Sequence, residues 1–127
     1  MSEFSYINDL AKKCAETDHI EASLYTKYDV KRGLRDADGK GVLTGLTEIS
    51  SVHGTKEEMG SKEYCDGELR YRGIDIKDLV GGFVAENRFG FEEVIYLLLI
   101  GHLPSARELK AFSDLLASYR TLPDGVG

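Results

Sequence analysis

Cysteine is scarce in this chain: Cys14 and Cys65 are the two it holds in 127 residues, far apart and with no CxxC pair. That excludes a disulfide framework and a zinc site built on clustered thiols, and leaves two free thiols suited to a reducing cytosol. Basic charge is also in deficit, with 16 Lys and Arg against 22 Asp and Glu and a net charge of −6. Phosphate backbones recruit a surplus of Lys and Arg, so nucleic acid is not an expected partner. Long apolar runs are missing: the most apolar stretch, Val94 to Ile100, has seven residues, where a membrane helix needs about 20. No membrane partner is expected. The start, MSEFSYINDLAKK, is too polar for a signal peptide and too acidic for a transit peptide, which predicts a cytoplasmic protein. Three histidines are present, His19, His53 and His102, and no two stand at the i, i+2 or i, i+4 spacing of a metal site on one element. Neither GxSxG, a P-loop nor GxGxxG occurs, so no nucleophile elbow or phosphate-cradling loop is indicated.

What is there belongs to one soluble globular unit, with 42% hydrophobic and 30% charged residues. Phe4, Ile7, Leu10 and Cys14 recur at helical spacing and predict an amphipathic helix of about three turns, followed by a shorter one through IEASLYTKY. KRGLRDADGKGVLTG holds four glycines and an Asp38-Gly39 pair, the composition of a lead-in loop. LTEISSV then suits a short strand and ELRYR a second, with Leu69 and Tyr71 facing a core and Glu68, Arg70 and Arg72 facing water. The two are expected to pair across the polar loop GTKEEMGSKEYCDG, a connection long for a hairpin.

Gly73 permits a sharp turn from the second strand into a helix, because it lacks Cβ. Asp75 is the expected N-cap, with Asp78 placed as in a capping box and Ile74 and Leu79 as a hydrophobic staple. Phe91 to Ile100 reads as a core helix enclosed by protein on most sides, stopped by Gly101. Pro104 enforces a turn, and Ser105 to Glu108 forms a capping box for a last helix with Leu109, Phe112, Leu116 and Tyr119 as its apolar stripe and Pro123 and Gly125 as its end.

Few residues invite a chemical role. His53, between a strand and Gly54, stands where bases occur, but a turn histidine bonded to backbone is the plainer reading. His102 at a helix C-terminus complements the dipole. Arg70 and Arg72 could hold a carboxylate or phosphate; pairing with Glu48 or Glu68 on a neighbouring strand is preferred. Lys31, Arg32 and Arg35 are read as surface charge.

The order of these motifs is more specific than any one of them. GLTEIS, then LRYRGIDI opening a helix, then FEEVIYLLLIGHLPSARELKAF resembles the N-terminal part of citrate synthases, and VKRGLRDADGKGVLTGLT, Val30 to Thr47, is similar to the version in some bacterial members. The resemblance runs from about Ile20 to the end. It departs at Gly81 to Gly90, a connection that looks longer than usual, and at Ile74, which replaces a commoner Tyr.

The resemblance implies a mainly α fold with a small antiparallel β hairpin, a single unit over 1–127 forming the N-terminal part of the large domain. Within it, 1–29 would carry N-terminal helices, 30–76 the lead-in loop and hairpin, and 77–127 further helices. For the complete enzyme it implies an acyltransferase of the tricarboxylic acid cycle. There acetyl-CoA condenses with oxaloacetate: a carboxylate takes a methyl proton, one His bonds the enol, a second protonates the carbonyl, and citryl-CoA is hydrolysed. Those groups lie in the family beyond the region matched here, so no catalytic, cofactor-binding or metal residue is carried over, no cofactor is expected, and the segment alone is expected to be inactive. Lys40 lies near the position of a basic residue that reaches CoA phosphate in some members. A homo-oligomer, a dimer in the family, is expected, with apolar surface on the Val94 to Ile100 helix driving association. A 2-methylcitrate synthase and a stand-alone helical interaction module are the alternatives.

Overall fold

The computed structural model describes residues 3–31, 33, 42–58 and 60–121. Along the chain run α1 (Glu3–Thr17), α2 (Ala22–Lys27), β1 (Ser50–Glu58), β2 (Ser61–Tyr71), β3 (Ile74–Asp75), α3 (Ile76–Ala85), α4 (Phe91–Ile100) and α5 (Ala106–Ser118). The mainly α architecture with a small antiparallel sheet is as expected. α1 packs on α4, and α4 on α5. Their shared core is Tyr96, Ile100 and Phe112, flanked by Leu10, Cys14, Ile95 and Leu116. Tyr96 and Phe112 meet edge to face, with centroids 5.4 Å apart, the arrangement the ring quadrupoles favour. Burying Ile100 and Phe112 stabilises the fold by about 1.5–3 kcal/mol each.

The local signals hold where a side chain closes a nearby backbone group. Asp75 accepts a hydrogen bond from the Lys77 amide at 2.9 Å and starts α3. Ser105 and Glu108 form the full capping box of α5. Gly101 ends α4 at φ 92°, with its amide on the Leu97 carbonyl. Phe4, by contrast, stays exposed, and α1 reaches the core through Leu10 and Cys14. α5 stops at Ser118 with an exposed Tyr119 at its cap; Pro123 and Gly125 lie outside the described residues.

Expectations need correction at four places, the first being the extent of the hairpin. The first strand is not LTEISSV: the Thr47 hydroxyl accepts the Ile49 amide at 3.1 Å, a local turn that delays the strand to Ser50. The polar stretch is not a loop but most of the hairpin, since Glu58 pairs with Ser61 and two residues connect them, with Gly60 at φ 81°. Exposed Lys56 and Glu63 on one face and exposed Tyr64 on the other suit a ribbon wet on both. The register slips once, where one residue between His53 and Thr55 faces three between Tyr64 and Glu68, at the turn-prone pair Asp66-Gly67.

The end of β2 is the second point. Glu68 to Tyr71 are all half-buried, rather than split into dry and wet faces, because β3 and α3 pack against this end of the strand. β3 itself was not expected: Arg72 (φ 47°) and Gly73 (φ 83°) both take positive φ, a two-residue turn that sends Ile74 back to pair with Tyr71. Third, α3 runs to Ala85, so residues 81–85 are helix and the connection to α4 is only 86–90. Fourth, α4 is not enclosed. Glu93, Tyr96, Leu97 and Ile100 are buried at i, i+3, i+4, i+7, while Phe91 and Leu99 face outward, because α1 and α5 cover one side.

Candidate functional site

Polar side chains converge at three places on this frame. At the C-terminal end of α4, Arg72 donates from Nε and Nη2 to the Leu98 carbonyl at 3.1 and 2.8 Å. Beside it the Thr17 hydroxyl lies 3.2 Å from the Leu99 carbonyl and 3.0 Å from the Cys14 carbonyl. The tight β2–β3 turn aims the arginine inward, so it is not a strand residue facing water alongside Arg70. Its charge meets the negative end of the helix dipole. An open cavity of about 410 Å³ adjoins this junction, lined by Glu16, Thr17, His19, Glu48, Arg72 and Gly101. Arg70 lies 4.0 Å from Glu68 on its own strand and donates to the Gly73 carbonyl at 3.4 Å.

The second cluster lies between α1 and α5, beside a groove of about 860 Å³ lined by Tyr6, Asp9, Lys13, Glu108, Leu115 and neighbours. The buried Tyr96 hydroxyl donates to Glu108 Oε1 at 3.3 Å, and Glu108 Oε2 accepts from the Ser105 amide and hydroxyl at 2.9 and 2.8 Å. Lys13 lies 3.8 Å from Glu108 and 3.4 Å from Asp9. Burial pushes Tyr96 up to about 12, helped by the Glu108 charge. The Ser105 hydrogen bonds hold Glu108 below its ordinary value. Burial also raises Tyr6, whose covered hydroxyl makes no hydrogen bond. An acid–base pair for catalysis needs values drawn towards neutrality. Here they are driven apart, the tyrosine neutral and the carboxylate charged, so the cluster acts as a fastening between helices.

The third is the α3–α4 loop. Arg88 grips Glu93 through Nε at 3.0 Å and Nη2 at 3.2 Å, and contacts Glu86 as well. Glu93 is buried, and this two-point ion pair offsets the cost of taking its charge from water. Gly90 sits at φ 70° with the Phe83 ring where a Cβ would stand.

The histidines are scattered. His53 lies on β1 and is exposed. His19 is exposed, 3.8 Å from Glu21, and His102 Nδ1 lies 3.0 Å from the Leu103 carbonyl with its ring edge-on to Tyr96. Lys31 pairs with Asp29 at 2.6 Å; Arg32, Arg35 and Lys40 lie outside the described residues. Among the described residues no group of three His, Cys, Asp or Glu is placed to hold a metal ion, and no helix is long and apolar enough to cross a membrane. Arg88, Glu93 and Tyr96 carried no sequence signal of their joint roles: an i, i+5 ion pair has no helical pattern, and the tyrosine is lost in an apolar run.

Comparison with known proteins places these elements. The family model described as citrate synthase, C-terminal domain, matches residues 33–127. The citrate synthase of Haloferax volcanii is 40% identical over 98 residues, which is 77% of this chain and 20% of that protein. 2-Methylcitrate synthase 1 of Corynebacterium glutamicum is 39% identical over 97 residues, 76% of this chain and 20% of its own. The citrate synthase of the same bacterium is 37% identical over 118 residues, 86% and 23% respectively. The chain thus spans about a fifth of the length of these curated relatives. No solved structure gives a significant match.

Proposed function

The chain belongs to the citrate synthase family, and from that premise we propose that it is a scaffold segment, the N-terminal part of the large domain, of an enzyme condensing an acyl-CoA with oxaloacetate. Acetyl-CoA is the acyl donor in this reading and citrate the product. The segment supplies the hairpin and the α1–α4–α5 core against which the reaction centre is assembled, and no catalytic group. One observation carries the reading: 40% identity to a citrate synthase across 77% of this chain but a fifth of that relative. The open side of α4, with Phe91 and Leu99 exposed, is the surface expected of a piece that packs against more protein.

A second reading, a 2-methylcitrate synthase using propionyl-CoA, is favoured by the nearly equal identity to the Corynebacterium enzyme of that name. Assaying the purified chain for CoA release with oxaloacetate and either acetyl-CoA or propionyl-CoA tests the assignment of roles. Background rates are expected with both. Turnover with either thioester would show that this segment holds its own catalytic groups and would refute the scaffold reading.

A further inference from the structure

We propose that α1 is a strap that releases from α4 and α5 as one unit while the hairpin, α3, α4 and α5 stay folded. Its inner face carries Tyr6, Leu10, Lys13, Cys14 and Thr17, and none of these is fully buried. Leu10 and Cys14 reach the core only at its flank. Polar contacts hold α1 no more firmly. The Thr17 hydroxyl has one hydrogen to give, and it lies 3.2 Å from the Leu99 carbonyl of α4 but 3.0 Å from the Cys14 carbonyl of its own helix. Lys13 lies 3.8 Å from Glu108 of α5 but 3.4 Å from Asp9 of α1. Glu108 in turn keeps Ser105 and Tyr96 when Lys13 leaves. Lifting α1 therefore leaves each of these side chains with a partner. It also returns to water the Tyr6 hydroxyl, which is covered in the docked helix and makes no hydrogen bond, and a polar group covered without a partner opposes docking.

The body is joined in the opposite way. Arg72 reaches the Leu98 carbonyl from 26 residues away, Arg88 grips buried Glu93, and Arg120, past the end of α5, donates to Glu92 at the start of α4 at 2.6 Å. Each of these ties crosses between elements, so parting them takes a partner away. Proteins open in cooperative units bounded by such differences. The chain that follows α1 adds no anchor, since no residue of α2 is buried. A helix of 15 residues has little stability in water by itself, so α1 melts as it lifts and its amides become free to exchange. Release bares the flank of Tyr96 and Ile100 that Leu10 and Cys14 cover, which makes α1 a cover closing over a body already formed. The inference rests on the joint beneath α1, and neither on the proposed catalytic reading nor on what lies against the outer face of the helix.

Hydrogen exchange of the whole chain, read by mass spectrometry across a urea series, is the test. Amides of α1 should exchange about tenfold or more faster than those of α4, by a route that urea accelerates little, yet well below the rates of a free peptide of the same residues. Leu10→Ala should speed α1 by about a further tenfold and leave α4 and α5 unchanged. Tyr6→Phe keeps the ring, removes the unbonded hydroxyl and should slow exchange in α1. Exchange of α1 in step with α4, free-peptide rates in α1, equal acceleration of α1 and α4 by Leu10→Ala, or faster α1 exchange in Tyr6→Phe would each overturn the proposal.

Discussion

Arg72 shows how much one side chain fastens. It holds the hairpin turn to the end of α4 by two hydrogen bonds to the Leu98 carbonyl, from a backbone with φ 47° that L-residues rarely take. Arg72→Ala should cost about 2 kcal/mol in urea denaturation, the worth of charged hydrogen bonds lost at a partly covered site. Arg72→Gly should cost less, because it loses the same bonds but relieves the positive φ; a Gly variant worse than Ala would contradict the geometry. Glu108 and Tyr96 set a pH window. The folded-state value of Glu108 is depressed, so its contribution is present above its ordinary value of 4.5 and is lost as pH falls through the lower folded value. Tyr96 is raised from 10.0 to about 12, so its contribution is present below 10.0 and fades as pH climbs towards 12. Glu108→Gln should flatten the acid side of the stability profile and shrink the alkaline side as well, since it removes a charge that helps raise Tyr96, whereas Tyr96→Phe should flatten the alkaline side and leave most of the acid limb, which rests first on Ser105. Asp75 and the Ser105 box were legible in the sequence because a cap and its target lie within three residues. Arg72 was not, because its acceptor is 26 residues away and a strand pattern places it on the wrong face.

At the level of elements, the helices followed from their periodicity and their stops, and the antiparallel pairing of the hairpin from its two strand patterns, but the extent of the hairpin did not. Its outer half pairs backbone to backbone with few apolar side chains, so hydrophobic alternation, the usual sign of a strand, is absent there. The glycines divide by surroundings. A Cβ on Gly90 would lie 2.5 Å from the Phe83 ring at φ 70°, whereas one on Gly73, at φ 83°, would meet nothing within 4 Å. Gly90→Ala combines a crowded core with an unfavourable φ and should cost about 3 kcal/mol. Gly73→Ala carries the conformational penalty alone, about 1–2 kcal/mol. Equal melting shifts in the two variants would mean that the α3–α4 loop is not packed as described. Residues 81–90 read as one long connection because of their glycines, yet those at 81 and 82 are helical, and α3 ends only where Asn87 takes φ 53° and the Arg88 amide returns to the Phe83 carbonyl.

For the whole molecule, the family was legible because GLTEIS, LRYRGIDI and FEEVIYLLLIGHLP follow in one order, running from the turn before β1 through the end of β2 and β3 to α4. The candidate site was legible only in part: the capping pair Ser105 and Glu108 was found, but its tie to Tyr96 depends on α4 crossing α5, which no local pattern encodes. All three polar clusters described above join one helix to another element, and α4 takes part in each. That is the organisation of a framework. The most direct test is a graft: residues 33–121 of this chain replace the matching stretch of the Haloferax volcanii citrate synthase, and CoA release from acetyl-CoA and oxaloacetate is measured. The account predicts a chimera that condenses the two within about tenfold of the parent rate. A chimera that keeps the parent's melting temperature and assembly size yet releases no CoA would contradict it.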